Sequence, residues 1–415
     1  MKAEGDENRI RQTLKESSLH FLAGDPETLI HIDEQAPMEP FAQRTLDFLA
    51  ALAAGLRAHS QIRSFPDVAA FAFWCRRANL EREKEEYYPE QEKYRLGRGV
   101  SVHFTPSNIP VLFAFSMTAG LLAGNCAIVR LARKSSLQEE MICEVMKELM
   151  AGEYADFAPR IVLCRYGHEK ELTDYLSGLA DVRILWGSDE SVQEIRKSPL
   201  PPRGIDIPFA ARSSAAVISA GEILSTDRLP ALALDFYNDT YLNDQNACSS
   251  PHILCWIGDE EETARARERF WGEVAALLKQ RPYPVPAELA VRKLEAGLVL
   301  AAGWDAQELI RQDQENTVVR VQVPALCPEL WEHTAAGGFF IECRGEDLSC
   351  ITPILTGHCQ TIAVCGVKPD EIARLCARER VRGADRIVPF GHTLDFELTW
   401  DGFNLIENMS RRISC

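Results

Sequence analysis

From residue 99 to about residue 225, short β-rich apolar runs alternate with longer segments whose apolar positions recur every three or four residues. The runs VSVHF, AIVRLA, RIVLCRY, VRILWG and AAVIS predict strands. VLFAFSMTAGLLAG, SLQEEMICEVMKELMAG, EKELTDYLSGLA and SDESVQEIRKS predict the helices between them. This alternation predicts a parallel α/β sheet, because parallel neighbours need a crossover that a helix supplies. Sheets of this kind bind ligands beyond the carboxyl ends of their strands. The residues before 99 read mainly helical and end in EREKEEYYPEQEKYRLGRG, whose charges suit a solvated face. After residue 250 come a long helical pattern, EEETARARERFWGEVAALLKQ, and the strands TVVRVQV, GGFFIECR and QTIAVCGV, which predict a second α/β unit. The pattern predicts three regions, 1–225, 226–385 and a closing segment 386–415.

The length of 415 residues supports this division, since a single core stops growing well before that size. With 46% hydrophobic residues the chain is expected to bury large cores, and a net charge of −16 argues against nucleic acid as a partner. From Gly99 to Val129 there is no Asp, Glu, Lys or Arg. Pro106, Asn108 and Pro110 interrupt that stretch, so it predicts a buried strand, loop and helix, not a membrane span. The amino terminus, MKAEGDENRIRQTLKESS, lacks the apolar core of a signal peptide. The thirteen cysteines show no C-x-x-C spacing, so neither a disulfide framework nor a zinc site is signalled, and a reducing cytoplasm is expected. No metal site is expected.

Candidate chemistry sits at segment ends. Neither a Walker loop nor a glycine fingerprint follows a strand. AIVRLARKSS instead ends a strand with Arg130, Arg133 and Lys134, and ILWGSDES ends one with Gly187 and Ser188 at a helix start, where N–H groups can hold a pyrophosphate. The bland readings are a surface basic cluster and an ordinary N-cap. In VHFTPSNIP, Pro106 and Pro110 fix the backbone around Asn108, whose carboxamide suits an oxyanion donor or simply a turn. In NDQNACSSPH, Cys248 stands at a predicted turn, either as a nucleophile or as a structural thiol. His252, four residues on, is a candidate base, and His358 in GHCQT carries no assignment.

The order TPSNIP, GNCAIVRLARKSSL, LWGSDES, NDQNACSSPH resembles the aldehyde dehydrogenase superfamily. The segments QNACSSP and GADRIVPFG with WDG resemble its fatty acyl-CoA reductase branch, the luminescence-type LuxC-like family. The resemblance covers about residues 95–402. It implies an aldehyde dehydrogenase-like α/β fold, with a Rossmann-type cofactor domain within 1–225, an α/β catalytic domain over 226–385 and the closing segment 386–415. It makes Cys248 the nucleophile and Asn108 the oxyanion donor, and it puts Gly187 and Ser188 beside the cofactor pyrophosphate.

Departures from the family pattern sharpen these expectations. The glutamate base of hydrolytic members falls near Phe209 here, and a phenyl ring cannot activate water. The cofactor lysine falls on Arg130, and the position that often carries a ribose-binding glutamate falls on Arg133, so with Lys134 adjacent the 2′-phosphate of NADPH is the expected ligand. The resemblance implies NADPH-dependent reduction of an acyl thioester, on CoA or a carrier protein, to an aldehyde through an acyl-cysteine. It further implies an acyl-protein synthetase partner and a homo-oligomer. Two other readings stay open: a cysteine acyltransferase without redox chemistry, and a catalytically idle interaction protein of the same fold.

Overall fold

The computed structural model describes residues 11–12, 14, 16–89, 94–304, 308–311 (backbone only) and 315–414. The first ten residues of the amino-terminal segment, four residues of the charged run after residue 81 and Cys415 lie outside them. The chain divides into two units, residues 1–210 together with 396–415, and residues 211–395.

In the first unit, helix α1 (Gln43–Ala58) precedes the strands β2 (Arg95–Gly97), β3 (Val100–Phe104), β4 (Cys126–Leu131), β5 (Ile161–Arg165), β6 (Val182–Trp186) and β7 (Ile205–Phe209). With β1 (His20–Ala23) they form a six-stranded sheet, excluding β2, in the order β1-β5-β4-β3-β6-β7. All pairs are parallel except β1 with β5. The chain runs outward from β3 through β4 to β5, then returns to β6 on the other side, so the order reverses between β3 and β6. The helix α2 (Leu112–Leu122) after β3 is buried on every side, as a helix without a polar face must be. This accounts for the uncharged stretch from Gly99 to Val129. Ser136 and Glu139 form a capping box that starts α3 (Leu137–Ala151), and Glu139 also pairs with Arg165 at 2.8 Å.

The second unit holds β8 (Ser213–Ser219), β9 (Pro251–Ile257), β10 (Glu308–Arg311), β11 (Val319–Gln322), β12 (Phe339–Gly345), β13 (Cys359–Cys365) and β14 (Arg386–Pro389). Their order is β10-β11-β12-β9-β8-β13-β14, parallel throughout except for β10 with β11. Residues 396–415 return to the first unit, where the strand Ser410–Arg412 pairs with β2. Among the described residues no helix is long and apolar enough to cross a membrane.

Three features differ from the sequence pattern. The strand AAVIS, placed by the pattern in region 1–225, is β8, an interior strand of the second sheet, so the division falls after residue 210. Residues 386–389 pair with β13, so the closing segment begins at Phe396 and not at residue 386. The edge strand β7 was not anticipated, because Pro208 removes a ladder donor, which an edge tolerates and the strand pattern does not show.

Glu342 on β12 is fully buried. It accepts from the indole N–H groups of Trp256 (2.9 Å) and Trp271 (2.8 Å) and from Arg320 (3.1 Å). It thereby joins β9, β11 and β12 to the helix Glu260–Gln280. Replacing Glu342 with Leu is expected to strand a buried guanidinium and two indole donors, at a cost of about 3–5 kcal/mol. Thermal and denaturant unfolding check this.

Candidate functional site

The second unit carries the candidate nucleophile. Helix α4 (Leu229–Thr240) ends in a loop that leads to β9, and Asp244 (φ 52°) and Gln245 (φ 57°) take the left-handed conformation in succession. That geometry disfavours side chains by about 1–2 kcal/mol per residue. The opposing contribution comes from the Gln245 side chain, buried to 1% exposure. Its Nε2 donates to the carbonyls of Pro251 (2.8 Å) and Phe339 (3.1 Å), and its Oε1 accepts from the N–H groups of Gly338 (2.8 Å) and Phe339 (3.2 Å). Gly338 is required there, since a Cβ would sit 2.0 Å from the Thr317 carbonyl at φ 84°. Ser250 Oγ donates to the Asp239 carbonyl (2.8 Å), and Tyr283 O–H donates to Asp244 (2.9 Å).

Cys248 lies on this clamped loop, a half-buried thiol. Most of the other cysteines are packed in cores, where burial raises the thiol pKa, for example to about 12 at Cys164 and Cys359. Polar side chains meet Cys248. Ser214 Oγ donates to its carbonyl at 2.7 Å, and Gln360 Nε2 donates to its Sγ at 3.1 Å. All three residues lie at the amino ends of adjacent parallel strands: Ser214 is the second residue of β8, Cys248 precedes β9 and Gln360 is the second residue of β13. The candidate nucleophile therefore departs from the expectation that chemistry gathers at strand carboxyl ends. Gln245, Ser214 and Gln360 were not singled out from the sequence. Gln360 is 112 residues from Cys248, and no spacing rule connects them. His252 bonds through Nδ1 to the Ala335 carbonyl (3.2 Å), and burial lowers its pKa to about 4, which keeps the ring neutral.

The first unit carries the other candidates. Asn108 is exposed in the loop between β3 and α2. Thr105, where that loop begins, donates its N–H to the Arg130 carbonyl (3.1 Å). Gly187 and Ser188 join β6 to the helix Asp189–Arg196, and Ser188 caps it by accepting from the Ser191 N–H (3.3 Å). Glu190 in its first turn is held below the usual carboxylate range, chiefly by its own backbone N–H and then by Ser188. The Asn108 loop and the Gly187 loop thus flank the reversal of strand order between β3 and β6.

Underneath them, His103 on β3 bonds to Ser101 (2.9 Å) and Ser116 (2.7 Å), and Trp186 at the end of β6 donates to Ser116 (2.9 Å). Arg130 Nη2 donates to the carbonyls of Tyr166 (3.2 Å) and Gly167 (3.0 Å), bracing β4 against the turn after β5. Arg133 and Lys134 are exposed in the following loop. Phe209 is buried and stacks on Trp186 at 4.0 Å. Among the described residues no group of three or more His, Cys, Asp or Glu is placed to hold a metal ion.

The sequence profile described as acyl-CoA reductase (LuxC) matches residues 74–291, just over half of the chain. The chain belongs to the LuxC acyl-CoA reductase family. The match runs through Asn108 and Cys248 and stops short of Gln360. Two relatives are the long-chain acyl-protein thioester reductase of Aliivibrio fischeri, 24% identical over 177 residues, and long-chain acyl-protein thioester reductase 2 of Photobacterium leiognathi, 22% identical over 177 residues. Each alignment covers 42% of this chain and 36% of the relative. Among solved structures, a 1-pyrroline-5-carboxylate dehydrogenase is similar with a TM-score of 0.62 at 16% identity, over 96% of this chain and 81% of that one. A Mycobacterium tuberculosis aldehyde dehydrogenase complexed with NAD+ is similar with a TM-score of 0.64 at 13% identity, over 93% and 87%. This LuxC family chain has the aldehyde dehydrogenase fold.

Replacing Gln245 with Leu is expected to leave four backbone groups without their side-chain partner, costing on the order of 3 kcal/mol. Thermal unfolding reads the loss, and faster amide exchange confined to residues 241–250 and 337–339 distinguishes it from general loosening.

Proposed function

We propose that this chain reduces an acyl thioester to an aldehyde, with Cys248 as the nucleophile and NADPH as the reductant. The observation that carries this reading is the Cys248 thiol, half-buried on a clamped turn with an amide donor on its sulfur, in a chain of this family. The names of the two curated relatives support an acyl thioester as substrate. The thiolate attacks the thioester carbonyl, a bond forms between Sγ and the acyl carbon, and the carrier sulfur leaves and takes a proton. Asn108 keeps the role of oxyanion donor that the resemblance gives it. Phe209, where hydrolytic relatives carry a glutamate, offers no base for water, so the acyl-cysteine persists until it is reduced.

The first unit fits a dinucleotide. A parallel sheet reverses its strand order between β3 and β6, with Gly187 and Ser188 at that point and the cations Arg133 and Lys134 exposed on the loop after the neighbouring β4. We assign Gly187 and Ser188 to the pyrophosphate and Arg133 with Lys134 to the 2′-phosphate, while Arg130 braces the strand end behind them. Bound there, a reduced nicotinamide would supply a hydride to the acyl carbon, and a proton from solvent would complete the thiohemiacetal on Cys248. Cys248 then leaves as the aldehyde is released. A carrier thioester, a synthetase that delivers it and assembly of several copies belong to the same reading.

Cys248→Ala is expected to abolish both the acyl mass shift on the protein and the NADPH consumption driven by acyl-CoA, while dinucleotide binding persists. Retained reduction in that variant overturns the assignment, and acylation without NADPH consumption in the wild type points to an acyltransferase. Arg133→Glu is expected to move the ratio of NADPH to NADH affinities by roughly 10- to 100-fold toward NADH, the worth of one charge-assisted hydrogen bond. An unchanged ratio in a titration of both cofactors removes Arg133 from the site.

A further inference from the structure

Gln360 is polar, neutral and 3% exposed, at a position where an apolar strand residue would be the ordinary choice. Its Nε2 is 3.1 Å from the Cys248 sulfur. The local backbone shows why the side chain points there. On β13, Cys359, Ile362 and Val364 all contribute to one apolar core, whereas Ala363 and Cys365 contribute to the opposite one. Strict alternation would put Cys359 on the same side as Ala363, so one extra residue is accommodated between Cys359 and Ile362. The pairing with β8 shifts register across those same residues. An irregularity of this kind re-aims a side chain and leaves a backbone group without its ladder partner.

Here that group finds one: the Thr361 N–H donates to Ser214 Oγ at 3.0 Å, and Ser214 Oγ donates onward to the Cys248 carbonyl. One serine hydroxyl thus fixes both the irregular segment that aims Gln360 and the backbone of the residue it is aimed at. Gln360 and Cys248 are registered to each other by main-chain geometry.

We propose that Gln360 is a catalytic residue of this chain, its side-chain N–H donating to the Cys248 sulfur so as to favour the thiolate and orient it for attack. The inference rests on the reading of Cys248 as the nucleophile. A hydrogen bond to the charged form of an acid favours that form. A neutral amide does so without the counter-charge of a fixed cation, and the same N–H receives the sulfur again when the thiohemiacetal collapses. No bond to Gln360 forms or breaks.

Several charged and titratable groups on the elements bordering Cys248 bond to other partners. His252 bonds to the Ala335 carbonyl, Asp239 takes Gly391 and Thr393, and Asp244 takes Tyr283. Arg212, beside β8, pairs with Asp385 and donates to the carbonyls of Gly357 and Cys359. His358 is exposed at the start of β13 and accepts through its carbonyl from the Ser213 N–H.

The test is the pH profile of iodoacetamide alkylation at Cys248, followed on its own peptide by mass spectrometry, in the wild type, Gln360→Met and Gln360→Glu. Met keeps the length and removes the donor; Glu keeps the shape and places a carboxylate against the thiolate. The alkylation midpoint is expected to rise in both, by about one pH unit in Gln360→Met, so that alkylation below the midpoint slows roughly tenfold. Acyl-enzyme formation is expected to slow in parallel. A midpoint that is unchanged or lower in the folded variants overturns the proposal, and the isosteric Glu variant decides if the Met variant does not fold. Acylation that survives in Cys248→Ala overturns the underlying reading instead, and the alkylation profile, which needs no acyl donor, tells that failure apart.

Discussion

The second unit depends on the two-sided pairing of β8. This strand has no charged side chain, and it satisfies its backbone with β9 on one edge and β13 on the other. Those partners come from distant parts of the chain: Ser214 lies 34 residues from Cys248 and 147 from Thr361, yet its hydroxyl contacts both. Buried backbone groups must be paired, so the three amino ends cannot drift apart without unpairing a ladder. The position of the thiol is therefore a property of the sheet as much as of the loop that carries it.

Burial sorts the thiols by reactivity. A cysteine inside an apolar core is held as the thiol because the charged form is not solvated there, and Cys164, Cys359 and Cys365 are all pushed up to about 12. Cys248 is half-buried and meets a polar donor. Exposure and a polar donor thus set Cys248 apart from the thiols packed in the cores. The first unit applies the same physics to a base. His103 is buried among Ser101, Ser116 and the α2 turn at Gly120, and desolvation lowers its pKa to about 3, so it works as a neutral link between β3, α2 and the end of β6. That link holds the floor beneath the Asn108 and Gly187 loops.

The α/β class and most strands were legible because apolar runs and helical periodicity are local signals. The runs at 100–104, 126–131, 161–165 and 182–186 all form the predicted parallel sheet. AAVIS was equally legible as a strand, but the sheet it joins was not, since pairing partners leave no mark at fixed spacing. The loops bearing Cys248, Asn108 and Gly187 were found through residue type beside a turn or helix start. Gln245 and Gln360 escaped for a physical reason: each makes contacts to groups remote in sequence, and a single glutamine, whether in the polar run before Cys248 or at the start of β13, has no spacing signature.

The first unit is interrupted in sequence, and this bears on how the chain is made. Residues 396–415 supply the strand Ser410–Arg412 for pairing with β2, and Phe396 packs between Phe71, Trp74 and Phe115. During synthesis on the ribosome the whole of 211–395 emerges before those residues do. Proteins are made at roughly 5–20 residues per second, so the earlier aromatic cluster waits on the order of ten seconds or more with one wall missing. In that interval the nascent first unit lacks the partner strand for β2 and one wall of its aromatic cluster, whereas every strand of the second sheet lies in one continuous stretch of chain.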